Sequence, residues 1–238
     1  MNLYVGTSGY SYKEWKGIFY PEKLPDKQML HYYAERFRSV EINNTFYRMP
    51  NASVLEAWAA EVPAEFKFVL KASQRITHMQ RLKDTEDSVA YLLRIAGVLQ
   101  NRLGPLLFQL PPNFPKDVPR LRAFLALLPL EQRIAFEFRH QSWFDPEVFD
   151  LLKNHQVALC IAEAENDLEI AFISTASWGY LRLRRPDYDD AELKVRVNQV
   201  RDQQWQDAFV FFKHEDEGKG PIMARRFLDL FPEQKLSD

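Results

Sequence analysis

Arg133-Ile134-Ala135-Phe136-Glu137-Phe138-Arg139 is the stretch on which the fold turns. Read as a β-strand, its side chains alternate between two faces. Phe136 and Phe138 then share one face, and Glu137 and Arg139 share the other. A parallel strand covered on both sides reads as a continuous apolar run, so charges on one face need a reason. In a closed barrel the reason is geometric: the apolar face packs under helices and the charged face points at the barrel axis.

The same alternation recurs along the chain. A second strand, Ser39 to Asn44, carries Glu41 and Asn43 around Ile42. A third, Phe66 to Ala72, has Lys71 at its end. A fourth, Leu106 to Leu110, places Gln109 between Phe108 and Leu110. A seventh, Gly179 to Arg184, sets Arg182 and Arg184 around Leu183. An eighth, Ala208 to Lys213, ends on Lys213. With a first strand at Leu3 to Ser8, the decisive one at Arg133 to Arg139 as fifth, and a sixth at Val157 to Ala162, eight strands are expected.

Helical stretches lie between them: Lys27 to Phe37, Asn51 as an N-cap with a helix to Glu61, Asp84 to Asn101, Val118 to Leu128, a short helix capped by Asp145, Asp190 to Gln203, and Pro221 to Phe231. In Asp84 to Asn101, Val89, Leu92, Leu93, Ala96 and Leu99 fall on one side. Gly104 and Pro105 are read as stopping that helix before the fourth strand. No good helix fits Glu163 to Trp178. Strands alternating with helices imply parallel pairing, and eight imply closure. The expectation is an α/β fold, a single (β/α)8 TIM barrel over residues 1–238, with an irregular connection between strands six and seven. An open doubly wound sheet is the alternative.

The charges sit late in each strand, toward the C-terminal rim where barrel enzymes carry their sites. Removing an ion from water costs several kcal/mol unless it is paired. Two readings follow: a functional cleft, or a self-satisfied ion-pair layer plugging the barrel mouth. They predict different costs for Glu137→Gln. A solvated site residue should lose less than about 1.5 kcal/mol, and a buried ion-pair partner about 3 to 5 kcal/mol. The cleft reading, and the smaller loss, are the expectation.

Composition narrows the function. The chain has 238 residues and a formal net charge of -2, which does not advertise general nucleic-acid binding; a nucleic-acid partner is not expected, though a local basic patch stays open. No apolar run approaches the roughly 20 residues of a membrane span, and the N-terminus lacks a signal-peptide pattern. A cytoplasmic protein without membrane partner is expected. The lone Cys160 lies in the apolar run Val157 to Ala162 and reads as a small buried hydrophobe. Gly6-Thr7-Ser8-Gly9 fits neither a P-loop nor a dinucleotide fingerprint. No cofactor is expected, and no His-Glu-x-x-His or cysteine cluster offers a metal site. Nothing fixes an oligomeric state.

His78 follows the third strand and is either an acid–base group or a loop histidine. Trp15, Tyr20, Phe46, Tyr47 and Trp143 fall in loops after strands, where aromatics suit stacking on a sugar or base or simply form the core of the loop layer. The candidate catalytic residues are Glu41, Lys71, Glu137 and His78. The candidate substrate-binding residues are Ser8, Tyr10, Trp15, Asn43, Tyr47, Gln109, Arg139, Trp143 and Arg182.

Several motifs resemble the YecE-like family of uncharacterised TIM-barrel proteins, domain of unknown function 72. They are Gly6-Thr7-Ser8-Gly9-Tyr10-Ser11-Tyr12 with Trp15 and Tyr20-Pro21, and Val40-Glu41-Ile42-Asn43 with Thr45-Phe46-Tyr47. Phe68-Val69-Leu70-Lys71-Ala72 with Thr77-His78 follows. Gly104-Pro105 with Leu107-Phe108-Gln109-Leu110-Pro111-Pro112, and Phe136-Glu137-Phe138-Arg139-His140 with Ser142-Trp143, complete the set. After the sixth strand the pattern departs: Arg184-Arg185 stand where the family tends to show His-Gly, and His214-Glu215 where it tends to show asparagines. The resemblance implies a TIM barrel with a rim site and a loose likeness to sugar-isomerase-type barrels. It implies no established activity.

Four function classes are weighed. The first is an enzyme acting on a small phosphorylated or carboxylated metabolite, a sugar derivative among the candidates, with Lys71, Arg139 and Arg182 binding the anion and Glu41 or Glu137 as general acid or base. The second is a glycosidase-like hydrolase using Glu41 and Glu137, which a direct salt bridge of each to an arginine would argue against. The third is a non-catalytic binding module for a nucleotide, nucleic acid or protein, favoured by a continuous basic surface from Arg182 through Arg185 to Arg196 and Arg201. The fourth is a divalent-metal enzyme.

Overall fold

The structure, a computed structural model, describes residues 1–163, 172–213 and 218–231. Eight strands form one parallel sheet: β1 (Asn2–Thr7), β2 (Ser39–Ile42), β3 (Lys67–Lys71), β4 (Leu103–Gln109), β5 (Ile134–Glu137), β6 (Ala158–Ala162), β7 (Trp178–Leu183) and β8 (Asp207–Phe212). Their order is β1-β8-β7-β6-β5-β4-β3-β2. The remaining seam, between β1 and β2, is drawn together by a parallel bridge of Ser8 to Glu41 and by the Gly9 amide donating to the Glu41 carbonyl at 2.8 Å. The result is a nearly closed α/β barrel of the TIM type.

Seven α-helices lie among the described residues: α1 (Met29–Ala34), α2 (Ala52–Glu61), α3 (Glu86–Ala96), α4 (Val118–Leu125), α5 (Pro146–Asn154), α6 (Asp190–Arg201) and α7 (Lys219–Asp229). Several begin as their sequences dictate. Asp117, Asp145 and Asp189 each turn a carboxylate onto an amide of the first turn, and Asp189 with Glu192 forms a reciprocal capping box.

Several expected boundaries move, and two of the shifts bear on the fold. Gly104 and Pro105 do not precede the fourth strand but lie inside β4, which starts at Leu103. The pairing with β3 shifts register there, between Phe68 and Leu70, and such an irregularity tolerates a proline that donates no ladder bond. The helix expected to reach Asn101 stops at Ala96 and continues as a 3-10 segment, Gly97–Arg102, in which Gln100 takes a left-handed φ of 48°. Of the irregular connection expected after β6, residues 164–171 lie outside the described residues; residues 172–177 are not helical.

Period-two alternation divides the core in two. Phe108, Phe136 and Phe138 face outward with the helices, and the Phe108 and Phe136 rings stack at 5.4 Å. Tyr4, Val69, Leu107, Ala135, Cys160, Tyr180 and Phe209 form a separate cluster along the barrel axis. Inward positions at the strand starts hold an ion pair, Arg133 with Asp207. Those at the strand ends hold the charges discussed below. No helix among the described residues is long and apolar enough to cross a membrane.

Candidate functional site at the barrel mouth

Strand parity brings Ser8, Glu41, Gln109, Glu137 and Arg182 to the inner face at the C-terminal ends. Arg182 on β7 is the hub. Its Nη2 donates to Glu41 Oε1 at 2.7 Å and its Nη1 to Glu137 Oε2 at 2.6 Å. Glu41 also accepts from Ser8 Oγ at 2.6 Å and from the Tyr180 hydroxyl at 2.5 Å. Glu137 also accepts from Gln109 Nε2 at 2.8 Å and from Arg184 Nη2 at 3.0 Å. Asn43 Oδ1 lies 3.3 Å from Arg182 Nη2.

This layer is closed to water. Glu41 is 0% exposed, and Glu137 and Arg182 are 1% exposed. Burial opposes the charge of Arg182, but Glu41 and Glu137 outweigh it and hold the guanidinium pKa above its ordinary value. Burial, then Glu41, pushes the Tyr180 hydroxyl well up, so it stays a neutral donor. The two carboxylates therefore do not stand in an open, solvated cleft as expected. Each is salt-bridged to Arg182, the arrangement that argues against a glycosidase pair. The reason is stoichiometric: a charge so deep must be matched, and one arginine lies between two acids.

Above this layer the balance fails. Lys71, at the end of β3, has its ammonium 4.1 Å from the Phe46 ring centre and donates to no acceptor among the described residues. Desolvation, then the repulsion of Arg182, brings its pKa from 10.5 down to about 8. Its position is set locally: Thr45 Oγ1 bonds the Lys71 carbonyl at 2.7 Å and the Ile42 carbonyl at 2.9 Å, folding the loop after β2 so that Phe46 lies under the amine. Arg139 approaches Glu137 only to 4.0 Å, and its side chain is 38% exposed. Nε of Arg182 and Nε of Arg184 are buried without an acceptor among the described residues.

His78 lies beside these cations, in a π-helical turn, Arg75–Met79. Its ring meets the Phe46 ring edge-on at 4.9 Å, and its Nδ1 bonds Thr77 Oγ1 at 2.8 Å. Desolvation first, then Lys71 and Arg139, lowers its pKa, so the imidazole is neutral at neutral pH. The turn runs into three left-handed residues, Arg81, Leu82 and Asp84. π-turns and non-glycine residues in that region recur at functional sites because the surrounding structure must hold them.

The aromatic candidates divide. Tyr47 is 72% exposed and packs edge-on against Phe46 at the rim. Trp15 and Trp143 are 0% exposed and have no face open to a ligand. Trp15 packs among Tyr12, Phe19 and Tyr20. Trp143 stacks on Phe138 at 4.7 Å and donates Nε1 to the Phe114 carbonyl at 2.6 Å. Tyr10 packs on Tyr33 and Trp58. These three build the loop layer, because rings of that size are most stable out of water. Tyr180 was not foreseen at the mouth, and Arg184, expected as a charge of the seventh strand, was not named among the candidate contacts. Their signal was present, since positions 180, 182 and 184 share one face of β7.

The basic surface that would favour a nucleic-acid module does not form along the expected line. Arg182 is buried, Arg185 pairs with Glu192, Arg196 pairs with Glu163, and Arg201 bonds Asn198. Among the described residues, no three His, Cys, Asp or Glu side chains gather as metal ligands. Burial raises the Cys160 thiol well above its ordinary range, which suits its place in the inner core. His214-Glu215 lie outside the described residues.

Comparison with known proteins agrees with the fold. The family model described as protein of unknown function DUF72 matches residues 4–237. UPF0759 protein YecE of Escherichia coli is 31% identical over 60% of this chain, which spans about 50% of that relative's length. UPF0759 protein YunF of Bacillus subtilis is 26% identical over 96% of this chain and 94% of its own. The crystal structure of a DUF72 family protein from Thermotoga maritima superposes with a TM-score of 0.88 at 28% identity, over 98% of this chain and 100% of that one. One from Enterococcus faecalis gives 0.84 at 19% identity over 98% and 96%, a likeness of fold. Matched almost end to end by the family model, this chain belongs to the DUF72 family.

Proposed function

We propose that this barrel is an enzyme acting on a small anionic metabolite, phosphorylated or carboxylated, held at its mouth and transformed by acid–base chemistry of Lys71 and His78. The observation that carries the reading is the unmatched positive charge above a matched layer. Glu41 and Glu137 are each paired with Arg182 at 2.6 to 2.7 Å, while Arg139 reaches Glu137 only at 4.0 Å and Lys71 donates to no acceptor among the described residues. Anions are what such a pair of donors accepts most readily, Arg139 through its planar fork and Lys71 as a point charge. Glu41 and Glu137 then set the field and hold Arg182; they do not touch substrate. His78 supplies a neutral imidazole beside the bound anion, and Tyr47 an exposed ring over it.

Protonation fixes the sign of the pH dependence. Lys71 attracts an anion only while charged, and its pKa is near 8. Anion affinity should therefore fall as pH rises through that value. A thermal-shift titration tests this. Phosphate and sulfate should stabilise the protein, a neutral sugar should not, and added sodium chloride should erode the effect by screening. The double variant Lys71→Met, Arg139→Ala should lose the response. Undiminished stabilisation of that variant by phosphate would contradict the proposal.

A further inference from the structure

We propose that Lys71 is a carbonyl-capturing nucleophile, which forms a protonated imine with an aldehyde or ketone that also carries a phosphate or carboxylate. The inference rests on the reading of the mouth as an anion site and names its substrate class. Three observations carry it. First, Lys71 is unlike the other partly buried lysines with recorded partners: Lys16 donates to Asp26, Lys116 to Asp145, and Lys67 to the Asn101 carbonyl. Among the described residues, the Lys71 ammonium has no hydrogen-bond acceptor and lies over the face of Phe46. Second, an amine that serves purely as an anion anchor gains from a neighbouring carboxylate that keeps it charged. Here Glu41 and Glu137 are bound to Arg182; they still favour the charged amine, but burial and then Arg182 outweigh them. The result is an amine of which roughly a tenth is free base at neutral pH, given a pKa of about 8; a desolvated lysine beside other cations is the usual way to make such a nucleophile. Third, His78 packs on the same Phe46 ring as Lys71. Its Nδ1 is held by Thr77, which leaves Nε2 to carry protons.

The step balances without any oxidant or reductant. The Lys71 ammonium first gives up a proton to water; the freed nitrogen lone pair attacks the carbonyl carbon, a C–N bond forms, and the C=O π electrons move to oxygen, which takes a proton back from water. Neutral His78 removes the extra proton from nitrogen, giving a carbinolamine. The resulting imidazolium returns that proton to the hydroxyl, the C–O bond breaks, and water leaves. An ammonium and a carbonyl compound have become an iminium and water, with the single positive charge conserved. Arg139 holds the anionic end of the molecule. The iminium then acidifies the adjacent C–H, so the reactions open to this site are those that make or break a bond next to a carbonyl.

Reductive trapping tests the assignment. The full-length protein is incubated with glycolaldehyde phosphate and sodium cyanoborohydride, then digested and mapped by mass spectrometry; hydride addition fixes any iminium as a secondary amine. Lys71 should be labelled at least about tenfold faster than the exposed lysines, because the cationic mouth concentrates the phosphate. Neutral glycolaldehyde should show no such preference, and inorganic phosphate should compete. Arg139→Ala should narrow the preference while leaving Lys71 reactive. Lys71→Arg, checked for an unchanged melting profile, should lose the fast site. Labelling of Lys71 no faster than that of surface lysines, with phosphate-dependent stabilisation intact, would overturn the imine and leave the anion site standing. Loss of both would overturn the reading beneath it.

Discussion

Glu137 is held by donors from three side chains, Gln109, Arg182 and Arg184, at a position 1% exposed to water. Replacing it with Gln keeps the volume and removes the charge. Of its two carboxylates Arg182 would keep Glu41 alone, and Arg184 would lose the one carboxylate it reaches among the described residues. Breaking a buried pair in this way costs about 3 to 5 kcal/mol, chiefly for the cation left behind. Urea denaturation of Glu137→Gln should show a loss of that size. A loss under about 1.5 kcal/mol would mean that water reaches the site and compensates. At this scale the sequence was half legible. Alternation of Phe136-Glu137-Phe138-Arg139 is enough to send Glu137 inward. It does not say that Arg182, 45 positions later, is the partner, or that the same guanidinium also takes Glu41. Several inward charges of each sign can be paired in many ways, and only strand register in the closed barrel selects one. Trp15 and Trp143 were misread for a related reason. A ring in a loop after a strand can face a ligand or the loop's own core, and local sequence is the same in both cases.

Among the elements, β1 decides whether the mouth assembles. Its seam with β2 has few ladder bonds, and Gly6 lets the two backbones approach. A Cβ at that position would sit 2.0 Å from the Ser39 carbonyl oxygen and 2.7 Å from the Tyr33 hydroxyl. Gly6→Ala must push β1 from β2, and with them Ser8 from Glu41. Overpacking of this kind costs about 1 to 3 kcal/mol. Gly97, at the end of α3, has nothing within 4 Å of its added Cβ and a right-handed φ of -58°. Gly97→Ala should be neutral or stabilising by up to about 1 kcal/mol. Chemical denaturation of the two variants compares them directly, and phosphate-dependent stabilisation should weaken in the first alone. Equal stability of both would mean that the seam is not closed at Gly6. The strands themselves were readable from alternation because each has one face in each core. Gly104-Pro105 misled, because both residues signal a break, whereas the shifted pairing of β4 with β3 accommodates them inside a strand.

For the whole molecule, formal charge and local field have opposite signs. The chain carries a net charge of -2, yet the mouth sets Lys71, Arg139, Arg182 and Arg184 against Glu41 and Glu137. A low-dielectric barrel focuses that excess at one end, where it raises the local concentration of anions. The barrel class followed from eight strands alternating with helices, and the place of the charges from their lateness in those strands. What composition could not give was the split between a matched layer and an unmatched one, since both draw on the same residue types. Lys71 reports that split. Its titration, followed by NMR of isotope-labelled lysine side chains with Lys71→Met to assign the signal, tests the central claim most directly. Lys71 should titrate near 8 in place of the ordinary 10.5, and saturating phosphate should raise the midpoint by at least about one unit as an anion favours the charged amine. A midpoint near 10.5 that phosphate does not move would mean that Lys71 is a solvated or already paired lysine, and the mouth would hold no uncompensated charge for a ligand to meet.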